Sequence, residues 1–345
     1  MKQEQEPAST EITEVAPGIL RLQLHIQFTG LGHVNCYALE DDRGFTLVDP
    51  GLPGDESWNG LLDRLRRAEI PLDRVHTVVI THSHPDHFGG AARLHEESGA
   101  TILTHRSFRL WSGRNTSDLD DTPSDALDPA TDWSEPTAWG TKFQPPQGGS
   151  MTSMRAEMRS GRNVPQPTWL VDDKDTITLG RRNWVAMHTP GHSHDHLCLF
   201  DPTDGIVLAG DHVLPTITPH IGDSSGRTRD ALADFFESLD RVAALEGVAY
   251  VLPAHGHPFT DLAKRVEEIK EHHAERLQRL RAASTALGRP ATVSELMEYL
   301  FAPRSWGSMA ESETYAHLEH MRLSGQADSA WHDGLLNFTV HPLPV

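Results

Sequence analysis

His82, His84, Asp86 and His87 stand within six residues, in the pattern H-x-H-x-D-H. Three imidazoles and a carboxylate so close together suit a surface loop poorly. They suit borderline-soft divalent metals, which take His nitrogen and Asp oxygen as ligands. Four donors in one loop exceed what a single site usually draws from one segment, which points to two metals. Further ligand-type residues follow: His192 in HTPGHSHDH (188–196), Asp211 in LAGDH (208–212) and His255 in LPAHGH (252–257). Each comes after an apolar run and beside a glycine. Strand ends of one sheet can gather at one rim, where loops carry function.

Two other motifs compete with the histidines. GDSSG (222–226) fits G-x-S-x-G, which would make Ser224 the nucleophile of a serine hydrolase. That elbow needs a strand running straight into the turn, and the preceding TITPHI, with Pro215 and Pro219 nearby, is a poor strand. A polar loop before a helix is the ordinary reading. GLGHVN (30–35) starts like a dinucleotide fingerprint but lacks the third glycine and precedes a strand instead of following one. Cys36 reads as a small buried hydrophobe. His194, His196, His212 and His257 flank the donors and take no assigned role. His25, His76, His95, His272, His273, His317 and His320 read as surface or partly buried neutral residues.

The elements that must position these donors are legible as patterns. Behind a polar N-terminus that reads as frayed, 19–26, 34–40 and 44–49 are short apolar runs separated by Gly and Asp, hence strands. Trp58, Leu61, Leu62 and Leu65 have helical spacing within 57–69. VHTVVI (75–80) is a β-branched strand leading straight into THSHPDHFGG, and 89–97 fits a helix before strand 100–105. Residues 113–148 are acidic and rich in Pro and Ser, a long loop or insertion. Met151, Met154 and Met158 follow at helical spacing, either an apolar face packed on the core or a Met-lined cap over a pocket. The whole of 113–165 is therefore an insertion or cap within 15–260. Strands resume at 176–180, 183–188, 196–201, 205–210 and 248–255, with a helix at 229–245. Strands in runs favour two packed sheets with helices outside over a doubly wound parallel sheet. The tail, 261–345, reads as a long charged helix, a second helix opened by the Thr292–Glu295 capping box, a third over 311–323, and a hairpin about Asp333-Gly334. That order outlines a small winged-helix-like domain.

The ordered set LVDPG (47–51), THSHPDH (81–87), TPGH (189–192), GD (210–211) and PAHGH (253–257) resembles the metallo-β-lactamase-fold hydrolases over about residues 15–260. The resemblance implies an α+β fold, an αββα four-layer sandwich. It implies that His82, His84 and His192 hold one metal and that Asp86, His87 and His255 hold a second. Asp211 would bridge both, and Asp49 would orient the H-x-H-x-D-H loop. Zn2+, two per chain, is the expected cofactor, with Fe or Mn as alternatives that the same ligands accept. A hydroxide shared by the two metals would attack the substrate, with Asp86 and Asp211 as the carboxylates able to pass a proton. No Cys stands at a ligand position, which fits glyoxalase II-like and broader hydrolase branches. Asp195 replaces a common Gly of glyoxalase II, and no glutathione-binding cluster maps on the tail, so the expected substrate is a thioester or other activated acyl compound generally. The tail and the segment Gly210–Pro215 are also similar to the lactamase-like endoribonucleases, which makes hydrolysis of single-stranded RNA the alternative. A non-catalytic metal-binding protein would need a missing ligand.

Composition narrows the partners. The 345 residues include 22 His, and 30 Lys plus Arg against 49 Asp plus Glu leave a net charge of −19. Such a chain lacks the basic footprint of a duplex-DNA binder and disfavours RNA. Two cysteines rule out a disulfide scaffold. With neither a long apolar run nor an apolar leader, the expectation is a cytoplasmic enzyme acting on a small molecule, away from membranes.

Overall fold

The computed structural model describes residues 2–28, 30–110, 136–144, 164–222 and 230–342. A seven-stranded sheet runs β1 (Thr13–Ala16), β2 (Ile19–Phe28), β3 (Leu31–Asp41), β4 (Gly44–Val48), β5 (Val75–Val79), β6 (Thr101–His105) and β7 (Trp169–Val171), neighbours in space as in sequence. The first four strands pair antiparallel and the last four parallel. Parallel neighbours need crossovers, and two of these are helical among the described residues. Helix α1 (Asp55–Arg67) joins β4 to β5, and α2 (Pro85–Phe88) with α3 (Ala91–Ser98) joins β5 to β6.

The second sheet holds β8 (Thr176–Leu179), β9 (Arg182–His188), β10 (Leu197–Asp201), β11 (Ile206–Gly210) and β12 (Tyr250–Pro253), in the order β12-β11-β10-β9-β8. Helix α4 (Ala231–Ala243) lies between β11 and β12, capped by the Asp230 side chain accepting from the Ala233 N–H at 2.9 Å. Strand alternation then builds the layers. Leu197 and Leu199 of β10 face the other sheet, beside Trp184, Val79 and Leu103, whereas Cys198 and Phe200 face Phe235 and Leu239 of α4. The outer face of the first sheet packs on Trp58, Leu61 and Leu65 of α1. Each such fully buried side chain contributes about 1.5–3 kcal/mol. The result is helix, sheet, sheet, helix: the expected four-layer α+β sandwich.

The C-terminal elements form a fourth core. Helix α5 (Leu262–Leu287) leaves the sandwich and is followed by β13 (Ala291–Thr292), α6 (Val293–Leu300), α7 (Ser308–Leu323), β14 (Ala327–His332) and β15 (Leu335–Val340). The Thr292–Glu295 capping box opens α6 as its spacing requires. Asp333 and Gly334 both have positive φ, 49° and 76°, the backbone of a tight two-residue hairpin turn. Part of the acidic insertion lies here too. Trp139 is buried among Leu280, Tyr315 and Phe338, and its indole N–H donates to Glu311 at 3.2 Å. Within the described residues the insertion thus contacts the C-terminal elements. The Met151–Met158 spacing, and the cap's residues 113–135 and 145–163, lie outside them.

Candidate metal centre

The donors come from loops that leave strands at one end of the sandwich. β9 and β11 both run antiparallel to β10, and β12 runs parallel to β11. The loops after these three strands, carrying His192, Asp211 and His255, therefore leave the same edge. In the first sheet, β5 leads to His82 and His84, and Pro85 opens α2 at a position where its missing N–H costs nothing. The helical turn then brings Asp86 and His87 round beside the other loops.

The seven predicted residues converge as two groups. Donor atoms of His82, His84, His192 and Asp211 lie within 4.8 Å of one another, and so do those of Asp86, His87 and His255. Asp211 faces both: its carboxylate is 3.4 Å from His192 Nε2, 3.5 Å from His87 Nε2 and 3.3 Å from His255 Nε2. Asp86 lies 3.6 Å from His87 Nε2 and 3.5 Å from His255 Nε2. All are buried except His84, which is partly exposed.

Hydrogen bonds at the far side of each ring set its tautomer. His192 Nδ1–H donates to the His220 carbonyl at 2.8 Å, and His255 Nδ1–H to the His33 carbonyl at 2.6 Å. His87 Nδ1–H donates to the Asp49 carboxylate at 2.9 Å, and His82 Nδ1–H to the Thr81 hydroxyl at 3.1 Å. Each of these rings therefore turns its Nε2 inward, that of His82 lying 3.0 Å from His84 Nδ1. Nε2 of His87, His192 and His255, together with Asp211 Oδ1, are buried and have no hydrogen-bond partner among the described residues. Orphaned lone pairs are costly in a protein interior unless a cation takes them up. The donor set and its tautomers fit a pair of divalent metals.

The electrostatics agree. Burial, reinforced by neighbouring imidazoles, pushes His82 and His84 well below the usual histidine range. Burial opposes charge on His87 as well, but Asp86, Asp211 and Asp49 together outweigh it and hold His87 well above that range. His255 is raised likewise by Asp211 and Asp86 against its burial. Burial would raise Asp211, yet His255 and His87 hold it well below the usual carboxylate range. Two carboxylates thus draw positive charge to the point where these imidazole nitrogens meet.

Several supporting residues lacked an assigned role in the sequence. Asp49 takes the expected orienting position, accepting from the Thr81 N–H at 2.9 Å and the Thr81 hydroxyl at 2.8 Å as well as from His87. It does so at φ 56°, a left-handed conformation that Asp tolerates better than most residues. His196 is buried; its Nε2 accepts from the Asp211 N–H at 3.0 Å, and its Nδ1 lies 2.8 Å from the Thr189 hydroxyl. A Cβ at position 210 would stand 2.6 Å from His196 Nε2, so Gly210, at φ 51°, permits this contact. His33, which figured in the sequence only within the rejected GLGHVN pattern, is buried beneath His255. Glu313 of α7 lies 3.4 Å from His220 Nδ1 and 2.5 Å from Arg276 of α5, linking the C-terminal elements to the loop that holds His192. His212 is buried against Phe235 with neither ring nitrogen hydrogen-bonded among the described residues, and burial pushes its pKa down to about 3. His194 and His257 keep exposure. Ser224 lies outside the described residues.

A two-sheet sandwich with helices on both faces and a His/Asp cluster at one end of its strands defines a metallo-hydrolase class. The chain belongs to the metallo-beta-lactamase superfamily, whose family model matches residues 29–255. It is 24% identical to the probable metallo-hydrolase YqjP of Bacillus subtilis (strain 168) over 322 residues, 89% of this chain and 93% of that protein. The crystal structure of the metallo-beta-lactamase family protein TTHA1429 from Thermus thermophilus superposes with a TM-score of 0.73 at 26% identity, covering 95% of this chain and 100% of that one. The acyl-coenzyme A thioesterase MBLAC2 of Homo sapiens is 26% identical over 206 residues, 57% of this chain and 63% of that protein. No helix among the described residues is long and apolar enough to cross a membrane.

Proposed function

We propose that this chain is a dinuclear metal hydrolase acting on a thioester or other activated acyl substrate. The observation that carries it is the set of buried, unpartnered donor atoms His87 Nε2, His192 Nε2, His255 Nε2 and Asp211 Oδ1, facing one another in two adjoining groups. His82, His84 and His192 would hold one metal, Asp86, His87 and His255 the other, with Asp211 shared. Zinc suits this His-rich set, and iron or manganese would be accepted by the same atoms. When bound, such a pair supplies Lewis acidity for the attacked carbonyl and lowers the pKa of water to near neutrality.

The chain's own residues do the rest. Thr81, Asp49 and the carbonyls of His33 and His220 lock the imidazoles with Nε2 inward, so no ring need turn during reaction. Asp211 and Asp86 are the carboxylates near the centre, and their oxygens are where a proton can be taken up. His84, the one partly exposed member, marks the side from which substrate arrives. The acyl preference is supported by the thioesterase activity in MBLAC2's name and by the net charge of −19, which repels a polyanion. A cytoplasmic small-molecule enzyme follows on this reading. The order of helices and hairpin after residue 261 keeps the winged-helix-like description for that module, and with it RNA as the contrasting substrate.

The test is a side-by-side assay of the metal-loaded chain on thioesters, lactones and a β-lactam against single-stranded RNA at two salt concentrations, with metal analysis. About two equivalents of metal are expected, along with thioester turnover abolished by a chelator and a loss of orders of magnitude in His84→Ala and Asp211→Ala. Ser224→Ala should retain full activity. RNA cleavage that weakens with salt, without acyl turnover, would reverse the substrate reading.

A further inference from the structure

The polar N-terminus, which its sequence gives no reason to order, forms a short 3-10 turn at Gln3–Gln5 seated on the rim of the candidate metal centre. Glu4 is fully buried. Its carboxylate accepts from the N–H groups of Thr216 at 2.7 Å and Ile217 at 3.1 Å, and from the Thr216 hydroxyl. Lys2 Nζ donates to the Thr216 carbonyl at 2.6 Å. A carboxylate removed from water stays buried only where such donors replace it, so Glu4 anchors the segment to the loop after Asp211.

The remaining contacts lead to His255. The Gly256 N–H donates to His33 Nε2 at 3.1 Å, which places the His33 proton on Nδ1. That Nδ1–H donates to the backbone carbonyl of Glu6 at 2.8 Å. The His33 carbonyl in turn receives His255 Nδ1–H at 2.6 Å. Gln3 Oε1 accepts from the His257 N–H at 2.7 Å, and the Glu6 carboxylate lies 3.0 Å from His257 Nε2. Without the segment, His33 would hold a buried N–H with no acceptor, its tautomer would be free to change, and the turn bearing His255 would lose two direct supports, both at His257. The backbone of β3 is shaped for this passage: a Cβ on Gly32 would stand 2.3 Å from the Glu6 carbonyl oxygen and 2.8 Å from that of Gln5.

We propose that Lys2–Glu6 is a positioning strap for the metal held by Asp86, His87 and His255, acting through His33. The proposal rests on the dinuclear reading above. It gives residues 2–6 a task that the family match, which begins at residue 29, does not cover.

Cobalt(II) titration of the full chain tests it, with visible absorption reporting each equivalent and chelator competition giving the affinities. The variants are deletion of Lys2–Glu6, Glu4→Ala and Gly32→Ala; the last leaves all seven donors intact and obstructs only the path of the strap. The expected result is two equivalents in the wild type. In each variant one equivalent should bind as before and the other about 10–100-fold more weakly, the range for loss of a ligand's hydrogen-bonded support. Gly32→Ala should add no further loss in a His255→Ala background, because both act on one ligand. Glu4→Gln, which keeps an acceptor for Thr216 and Ile217, should recover part of the affinity. Equal weakening of both equivalents, or of neither, would overturn the strap while leaving the dinuclear reading intact. A wild type that takes up no cobalt would overturn both.

Discussion

Asp49 offers no donor atom to either metal group, yet three hydrogen bonds run through its carboxylate, to both ends of Thr81 and to His87. Asp49→Ala should therefore retain the fold and weaken metal binding about 10–100-fold, read by chelator competition. The H-x-H-x-D-H cluster was legible because coordination restricts both residue type and spacing, and the family resemblance extended it to Asp49, His192, Asp211 and His255, side chains that the fold brings together. His33 and His196 were not legible. Each acquires its function from a partner far along the chain, Gly256 for His33 and Asp211 for His196, and no local pattern marks a histidine that accepts a backbone N–H. Gly32 and Gly210 were the available signals. Both stand where a backbone or a ring must approach closely, but a lone glycine in a strand has many explanations.

At the scale of elements, the strands were readable because their burial is two-sided. β10 and β11 are buried at every position, which leaves short continuous apolar runs bounded by turns. The capping box and the Asp333-Gly334 turn were readable for a local reason, since their geometry is set within four residues. Helix pairing was not. His273 of α5 and His317 of α7 read in sequence as surface or half-buried residues, but they are fully buried and 3.0 Å apart. Burial, and then His317 beside it, pushes the His273 pKa down to about 2, and burial likewise lowers His317 to about 4. An unfolded histidine titrates near 6.5, so below that pH the unfolded chain binds protons that the folded pair refuses. The stability from keeping the pair neutral is complete above about pH 6.5 and falls as pH drops toward 4, by up to about 1.4 kcal/mol per pH unit for each group. Urea midpoints measured from pH 7 to pH 4.5 should fall accordingly, and His317→Gln should flatten the slope.

Across the whole molecule, the four-layer sandwich gathers loops from both sheets at one end, while the C-terminal helices and three-stranded sheet build a core of their own around Phe338 and Trp139. Composition could not foretell how these parts meet, because the junction includes specific polar contacts beside its apolar ones. Glu313 reaches from α7 to His220, whose carbonyl holds His192, and Arg276 of α5 completes the ion pair. A chain ended at residue 260 would keep every candidate metal donor and still lack that brace. Its expected behaviour is weaker retention of the metal served by His192 and a lower kcat on acyl substrates, with Glu313→Ala in the full chain reproducing part of both losses. In the language of protein engineering, residues 15–260 are therefore a poor transplant. A recipient scaffold that accepted the sandwich alone would inherit the chemistry's reagents without one of the clamps that hold them still.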